Sequence, residues 1–135
     1  MMTPKILGKK RGKKTGQFTS VFAKGLAGET KAARTYEKLG YRLVARRAKT
    51  PAGEIDLILL DPAARCLVFV EVKARKDIAS AAYAISPAQQ RRLLRAADTW
   101  VGGKPAYAGF ALQFDAFLID AAGQTRRIEN AFSLA

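Results

Sequence analysis

Two apolar runs of strand length, Glu54–Leu60 (EIDLILL) and Cys66–Ala74 (CLVFVEVKA), flank a short break that begins Asp61-Pro62. Nothing else in the chain limits its fold as strongly. Short runs this rich in Leu, Ile, Val and Phe read as strands, and the turn residues between them make a hairpin. With Pro62–Arg65 as a four-residue loop, the numbers of opposed residues sum to 127. Asp56 then faces Glu71, and Glu54 faces Lys73. Period-two alternation places Leu67, Phe69, Glu71 and Lys73 on one face of the second strand. It places Glu54, Asp56, Ile58 and Leu60 on one face of the first, and alternation fixes that parity on both.

The rest of the chain supplies what such a hairpin needs to bury its faces. At 135 residues, 49% of them hydrophobic, the chain makes one core and one domain, with no internal repeat. From about Gly28 to Leu39, Ala32, Ala33, Tyr36 and Leu39 recur at helical spacing, and Gly40 is a C-terminal stop. Tyr41–Arg46 alternates like a strand, and Lys49–Gly53 is turn material. Ser86 followed by Pro87 opens a second helix whose face carries Leu93, Ala96, Ala97, Trp100 and Val101, ended by Gly102-Gly103. Phe110–Ile119 is a further strand, and Arg126–Phe132 adds a short edge. The order α-β-β-β-α-β predicts an α/β (α+β) domain with a mixed sheet flanked by helices. The second helix lies on a parallel crossover between the 66–74 and 110–119 strands.

Charges gather at one end of the hairpin. Directly opposed residues hold their Cβ atoms roughly 4.5–5.5 Å apart. Two carboxylates that close repel each other, and burial adds a desolvation cost. A divalent cation is the simplest offset, since Mg²⁺ or Mn²⁺ takes one or two carboxylates plus water and substrate phosphate. Lys73, one pleat along, is placed to orient an attacking water or neutralise developing charge. The chain has no histidine, which removes His-based acid–base chemistry, Ser-His and Cys-His nucleophiles, and imidazole-dependent zinc sites. Asp56, Glu71 and Lys73 therefore suit phosphodiester hydrolysis better than acyl transfer. The same residues also have an ordinary reading: a Glu54–Lys73 cross-strand ion pair, a turn-capping Asp56, and Glu71 at a solvated strand end.

The formal charge of +13 favours a polyanionic partner. Residues 1–24 hold seven basic residues and no acidic one, and the remaining 17 basic and 11 acidic residues leave +6. Residues 1–22 read as a disordered basic arm, and 23–135 as the folded domain. Arg46, Arg47 and Lys49, just before the 54–60 strand, form a candidate phosphate patch. Arg91, Arg92 and Arg95 are either a solvated helix face or further phosphate contacts. Cys66 is the only cysteine, and there is neither an apolar run of membrane-spanning length nor a leader h-region. A soluble cytoplasmic protein without membrane association is expected. No self-complementary face is legible, so monomer and dimer both stay open. Cys66 and Trp100 read as core residues, Asp115 and Asp120 as structural caps or pairs.

GEIDLILLD followed by LVFVEVKAR resembles the paired-strand signature of the YraN-like family, small bacterial proteins with the restriction-endonuclease-like PD-(D/E)xK nuclease fold. The resemblance runs from about Gly25 to Phe132 and takes in Glu29 of GETKAAR, GYRLVARR, QQRRLLRAADTW, the FD of LQFDAFLI and IENAF. It implies Asp56 and Glu71 as metal-binding acids, Lys73 as the motif lysine, Glu29 as a further acid near the metal, and Gln90 as a helix residue facing the site. It also implies an endonuclease-like protein acting on DNA rather than RNA, with branched or damaged DNA as candidate substrates. The alternative is a non-catalytic nucleic-acid-binding protein on the same fold. The segment DIASAAYAI after EVK lacks the glycine expected there, and Gln89 stands where a lysine is expected.

Overall fold

The structure is a computed structural model that describes residues 11–132, and side chains from residue 25 onward. The elements are α1 (Arg11–Lys38), β1 (Arg42–Thr50), β2 (Gly53–Asp61), β3 (Cys66–Ala74), α2 (Ile78–Tyr83), α3 (Pro87–Gly102), β4 (Ala111–Ile119) and β5 (Thr125–Ile128). One mixed five-stranded sheet runs β1-β2-β3-β4-β5, with β3 and β4 parallel and the other neighbours antiparallel. No described helix is long and apolar enough to cross a membrane.

Each face of the sheet is covered by helix, which is why its central strands read as continuous apolar runs. On one side Ala32, Ala33 and Tyr36 of α1 meet Leu57, Leu59, Val68, Val70, Phe117 and Ile119. On the other, Ala81, Leu93, Ala96 and Ala97 of α2 and α3 cover Ile58, Leu60, Leu67, Phe69, Phe114 and Leu118. Fully burying one such side chain stabilises the fold by about 1.5–3 kcal/mol, so these two layers carry it. Phe69 sits at the centre of the α3 side, stacked on Phe114 at 5.5 Å and met edge-on by Trp100 at 6.2 Å. Trp100 is only half-buried and also stacks on Tyr107. Cys66 is a core residue of the α1 side.

The hairpin register matches the one read from the sequence between Leu57–Val70 and Asp61–Cys66. Beyond Leu57 it departs. Ile55 packs with Ile58 and Leu60 on the α3 side, so alternation slips at Asp56 and parity is not held along the whole strand. The facing residue of β1, Arg47, has a φ of 49°, a left-handed conformation uncommon for a side-chain-bearing residue. Asp56 has left the ladder, and its Oδ2 accepts the Val72 amide at 2.8 Å in place of a β2 carbonyl.

Four further expectations are corrected. The first helix begins at Arg11 rather than near Gly28. Segment 11–27 contains no proline to stop a helix propagating from the packed turns behind it. Of the basic arm expected over residues 1–22, residues 1–10 lie outside the described residues and 11–22 are helical backbone. DIASAAYAI is not a plain loop: Asp77 caps α2 by accepting the Ser80 amide at 2.7 Å. The Lys49–Gly53 turn is tighter than expected, with Lys49 and Thr50 still paired to Glu54 and Gly53. Ser86 caps α3 as expected, accepting from the Gln89 amide.

Candidate active site

The C-terminal end of β3, the start of β2 and the middle of α1 converge on a cavity of about 130 Å³. Glu29, Asp56, Glu71 and Lys73 all line it, together with Gly25 and Gly28. Three of the four reach it for reasons visible in their own elements. Glu71 and Lys73 follow Phe69 on the α3 face of β3, at the point where the β2 ladder ends. Glu29 lies two turns before Tyr36 on the sheet-facing side of α1 and is only 6% exposed. Gly28 lets that helix approach, since a Cβ there would stand 3.2 Å from Ile119 Cδ1.

Burial sets the electrostatics. Glu71 is 5% exposed, and its carboxyl is pushed up to about 7, first by desolvation and then by the charge of Asp56. Lys73 and Arg92 pull against that rise, from 3.4 Å to Oε2 and 3.8 Å to Oε1 respectively. Asp56 is also raised, chiefly by burial, with the Val72 amide acting in the opposite direction. Glu29 is raised by burial as well, against the hydrogen bond that Arg47 donates at 2.8 Å. Three carboxyls are thus held close together with their charged forms disfavoured.

Lys73 pairs with Glu71 of its own strand and not, as the extended register implied, with Glu54. The β2–β3 ladder ends at Leu57–Val70, short of that pair, and the start of β2 is crossed by Arg92. Its guanidinium donates to the Glu54 carbonyl at 3.1 Å and reaches Glu71. Gly53 makes the space: at φ 134° it has a backbone that only glycine adopts readily, and a Cβ there would fall 2.5 Å from Arg92 Nη1. Arg92, read from the sequence as part of a solvated helix face or as a phosphate contact, is therefore built into the site. Arg47, expected in the same class, is turned onto Glu29. The sequence carried one signal for this, the glycine at the strand start, which is unfavourable there unless another group approaches closely.

The other candidates lie outside the cavity. Arg46 is exposed and donates to Thr30 Oγ1 at 2.9 Å, and Lys49 and Arg91 are exposed. Gln90 turns its amide to the Ile85 carbonyl at 3.2 Å, closing the α2–α3 junction. Gln89 is three residues before Arg92, on the same face of α3. Asp115 and Asp120 are structural: Asp115 is fully buried and accepts from Tyr36, Gln113 and the Asn130 amide, while Asp120 accepts turn amides.

Whether these residues fit a divalent ion turns on their free valences. Glu71 Oε1 is buried and makes no hydrogen bond, an arrangement that native structures rarely leave unexplained. With Asp56 beside it, the pair matches the one or two carboxylates that Mg²⁺ takes while keeping several waters. Among the described residues, however, no three acidic or thiol side chains are drawn together tightly enough to enclose an ion.

Fold and site define a class: a mixed-sheet α+β protein carrying a carboxylate–lysine cavity at the mouth of a β-hairpin. Residues 28–119 match the uncharacterised protein family UPF0102, the YraN family, and the chain belongs to it. Among similar proteins, a UPF0102 protein of Rhodopseudomonas palustris strain HaA2 is 45% identical over 100 residues, 74% of this chain and 77% of its own. One from strain ATCC BAA-98 / CGA009 is 44% identical over 113 residues, 84% and 85% of the two chains. A Bradyrhizobium diazoefficiens relative is 41% identical over 113 residues, 84% of each.

Proposed function

We propose that this chain is a divalent-metal-dependent phosphodiester hydrolase of the restriction-endonuclease-like type, acting on DNA. The observation that carries the reading is Glu71: a buried carboxyl beside Asp56, pushed up to about 7, with one oxygen making no hydrogen bond and the other 3.4 Å from Lys73. A carboxylate pair that disfavours its own ionisation is poised for a cation, and perturbed groups of this kind cluster at functional sites. The antiparallel β1–β2–β3 meander followed by a helical crossover to a parallel β4 is compatible with that nuclease core.

Asp56 and Glu71 would hold Mg²⁺ or Mn²⁺, with Glu29 at the edge of the site. When bound, such an ion supplies a more acidic water and stabilises charge on the phosphoryl oxygens. The protein's own part follows from its contacts. The Val72 amide fixes the Asp56 carboxylate. Arg92 and Lys73 clamp Glu71 from its two oxygens. Lys73 Nζ, anchored by one contact, keeps donors for an attacking water or a phosphate oxygen. Arg47 keeps Glu29 in place behind them.

A second reading, a nucleic-acid-binding protein without catalysis, is favoured by two observations. Arg47, Lys73 and Arg92 already offset two of the three acids, and no three acids enclose a common point. One set of experiments separates the readings. Mn²⁺ is titrated calorimetrically into wild type and an Asp56→Asn/Glu71→Gln variant, and linear, flapped and four-way DNA are screened for cleavage with Mg²⁺ or Mn²⁺. Saturable binding lost in the variant, with cleavage abolished by Asp56→Asn, supports the hydrolase. Cleavage by Asp56→Asn at the wild-type rate would falsify it, and metal-independent DNA binding without cleavage supports the second reading.

A further inference from the structure

Beside the cavity, sharing Gly28 and Ala74 with it, lies a larger groove of about 640 Å³. Its walls come from α1, the segment after β3, and the β4–β5 turn, and they carry Lys31, Arg75 and Lys76 against one acid, Asp120. That acid is already occupied, since its Oδ1 accepts the Ala122 and Gln124 amides at 3.0 and 2.8 Å.

Two of the three cations are held rather than free-swinging. Lys31 Nζ donates to the Gly123 carbonyl at 2.6 Å, which bridges the groove and leaves two of its three N–H donors available. Arg75 donates Nη1 to the Ala74 carbonyl at 2.8 Å, and its amide donates to the Ile119 carbonyl. The Ala121 amide is tied to the Lys76 carbonyl, fixing the β4–β5 turn against this segment.

We infer that this groove binds the phosphodiester backbone of a nucleic-acid strand, seating the phosphates next to the one that lies over Asp56 and Glu71. Two features argue for it. The cavity is acidic and repels a phosphate unless cations adjoin it, and the groove places three there. Of the residues that sequence alone would assign to this task, Arg47 and Arg92 are engaged by Glu29, Glu71 and the Glu54 carbonyl, and Arg46, Lys49 and Arg91 lie outside the cavity, whereas the groove borders it. The inference deepens the hydrolase reading and rests on it only for the position of the reacting phosphate.

The test is fluorescence anisotropy with a short labelled DNA oligonucleotide in EDTA, where no cleavage occurs, over a range of salt. An Arg75→Glu/Lys76→Glu variant is compared with Arg42→Glu/Arg65→Glu. The latter makes the same charge change at the opposite end of the sheet, where Arg42 pairs with Leu60 and Arg65 precedes β3. The groove variant should bind about tenfold more weakly, with the slope of log K on log salt reduced by about two, while the distal variant loses much less. Gln replacements at 75 and 76 should show the same loss at smaller size, which excludes a folding defect as its cause. Equal losses in the groove and distal variants, or no loss in either, overturn the inference. Cleavage by Asp56→Asn would remove the hydrolase reading and leave the binding result standing, so the two failures are distinguishable.

Discussion

Neutralising Glu71 should make the protein more stable, and only at high pH. Its carboxyl ionises at about 7 in the fold, against an ordinary value of 4.5. At ~1.36 kcal/mol for each tenfold change in proton affinity, that difference costs the ionised form roughly 3 kcal/mol. The sign follows from proton counts. Between pH 4.5 and about 7 the folded chain binds more protons here than the unfolded chain, so stability falls as pH rises through that window. Below it the deficit is absent; above it the deficit is complete. Glu71→Gln keeps the side-chain shape and removes the charge, so it should match wild type near pH 4.5 and exceed it by roughly 3 kcal/mol near pH 8. Part of that gain comes through Asp56, whose charge Glu71 opposes. Urea unfolding followed by the single tryptophan, Trp100, reports the difference at each pH. A divalent ion at tenfold its dissociation constant should restore about 1.4 kcal/mol to wild type at pH 8 and nothing to the variant. An offset between the two proteins that is the same at both pH values, or a variant less stable at pH 8, would refute the reasoning.

Two further perturbations probe the supports of the site. Gly53→Ala forces a side chain into a φ of 134° and onto Arg92. It should cost on the order of 1–3 kcal/mol in urea unfolding and weaken Mn²⁺ binding together, whereas a stability change within about 0.5 kcal/mol would show that Arg92 is not packed there. Tyr36→Phe removes a 2.6 Å hydrogen bond to the fully buried Asp115. A loss of about 1.5–3 kcal/mol is expected for a bond to a charged group, and an unchanged urea midpoint would remove Asp115 from the interactions that hold α1 on the sheet.

Local chemistry was enough to determine much of this protein from its sequence. The four-residue loop and period-two apolar spacing set the β2–β3 register, because a slip of one residue would turn Leu57, Leu59, Val68 and Val70 away from their helix. Ser86-Pro87 set the start of α3 through capping that needs no distant partner. The same alternation put Glu71 and Lys73 on one face, whereas Asp56 reaches the site by leaving the ladder. Glu29 joined them only through the family resemblance, and the structure lines one cavity with all four.

What only the tertiary structure decided depends on residues that meet across long stretches of chain. Asp56 leaves the ladder because its carboxylate replaces a backbone acceptor for Val72, a choice invisible to alternation. Arg47 and Arg92 look like surface charge in sequence, yet a left-handed residue in β1 and a glycine at the head of β2 turn them onto Glu29 and Glu71. A sequence gives the charge of each side chain. Which opposite charge it meets depends on how helices dock on the sheet, and here that docking decided which arginines serve the carboxylates.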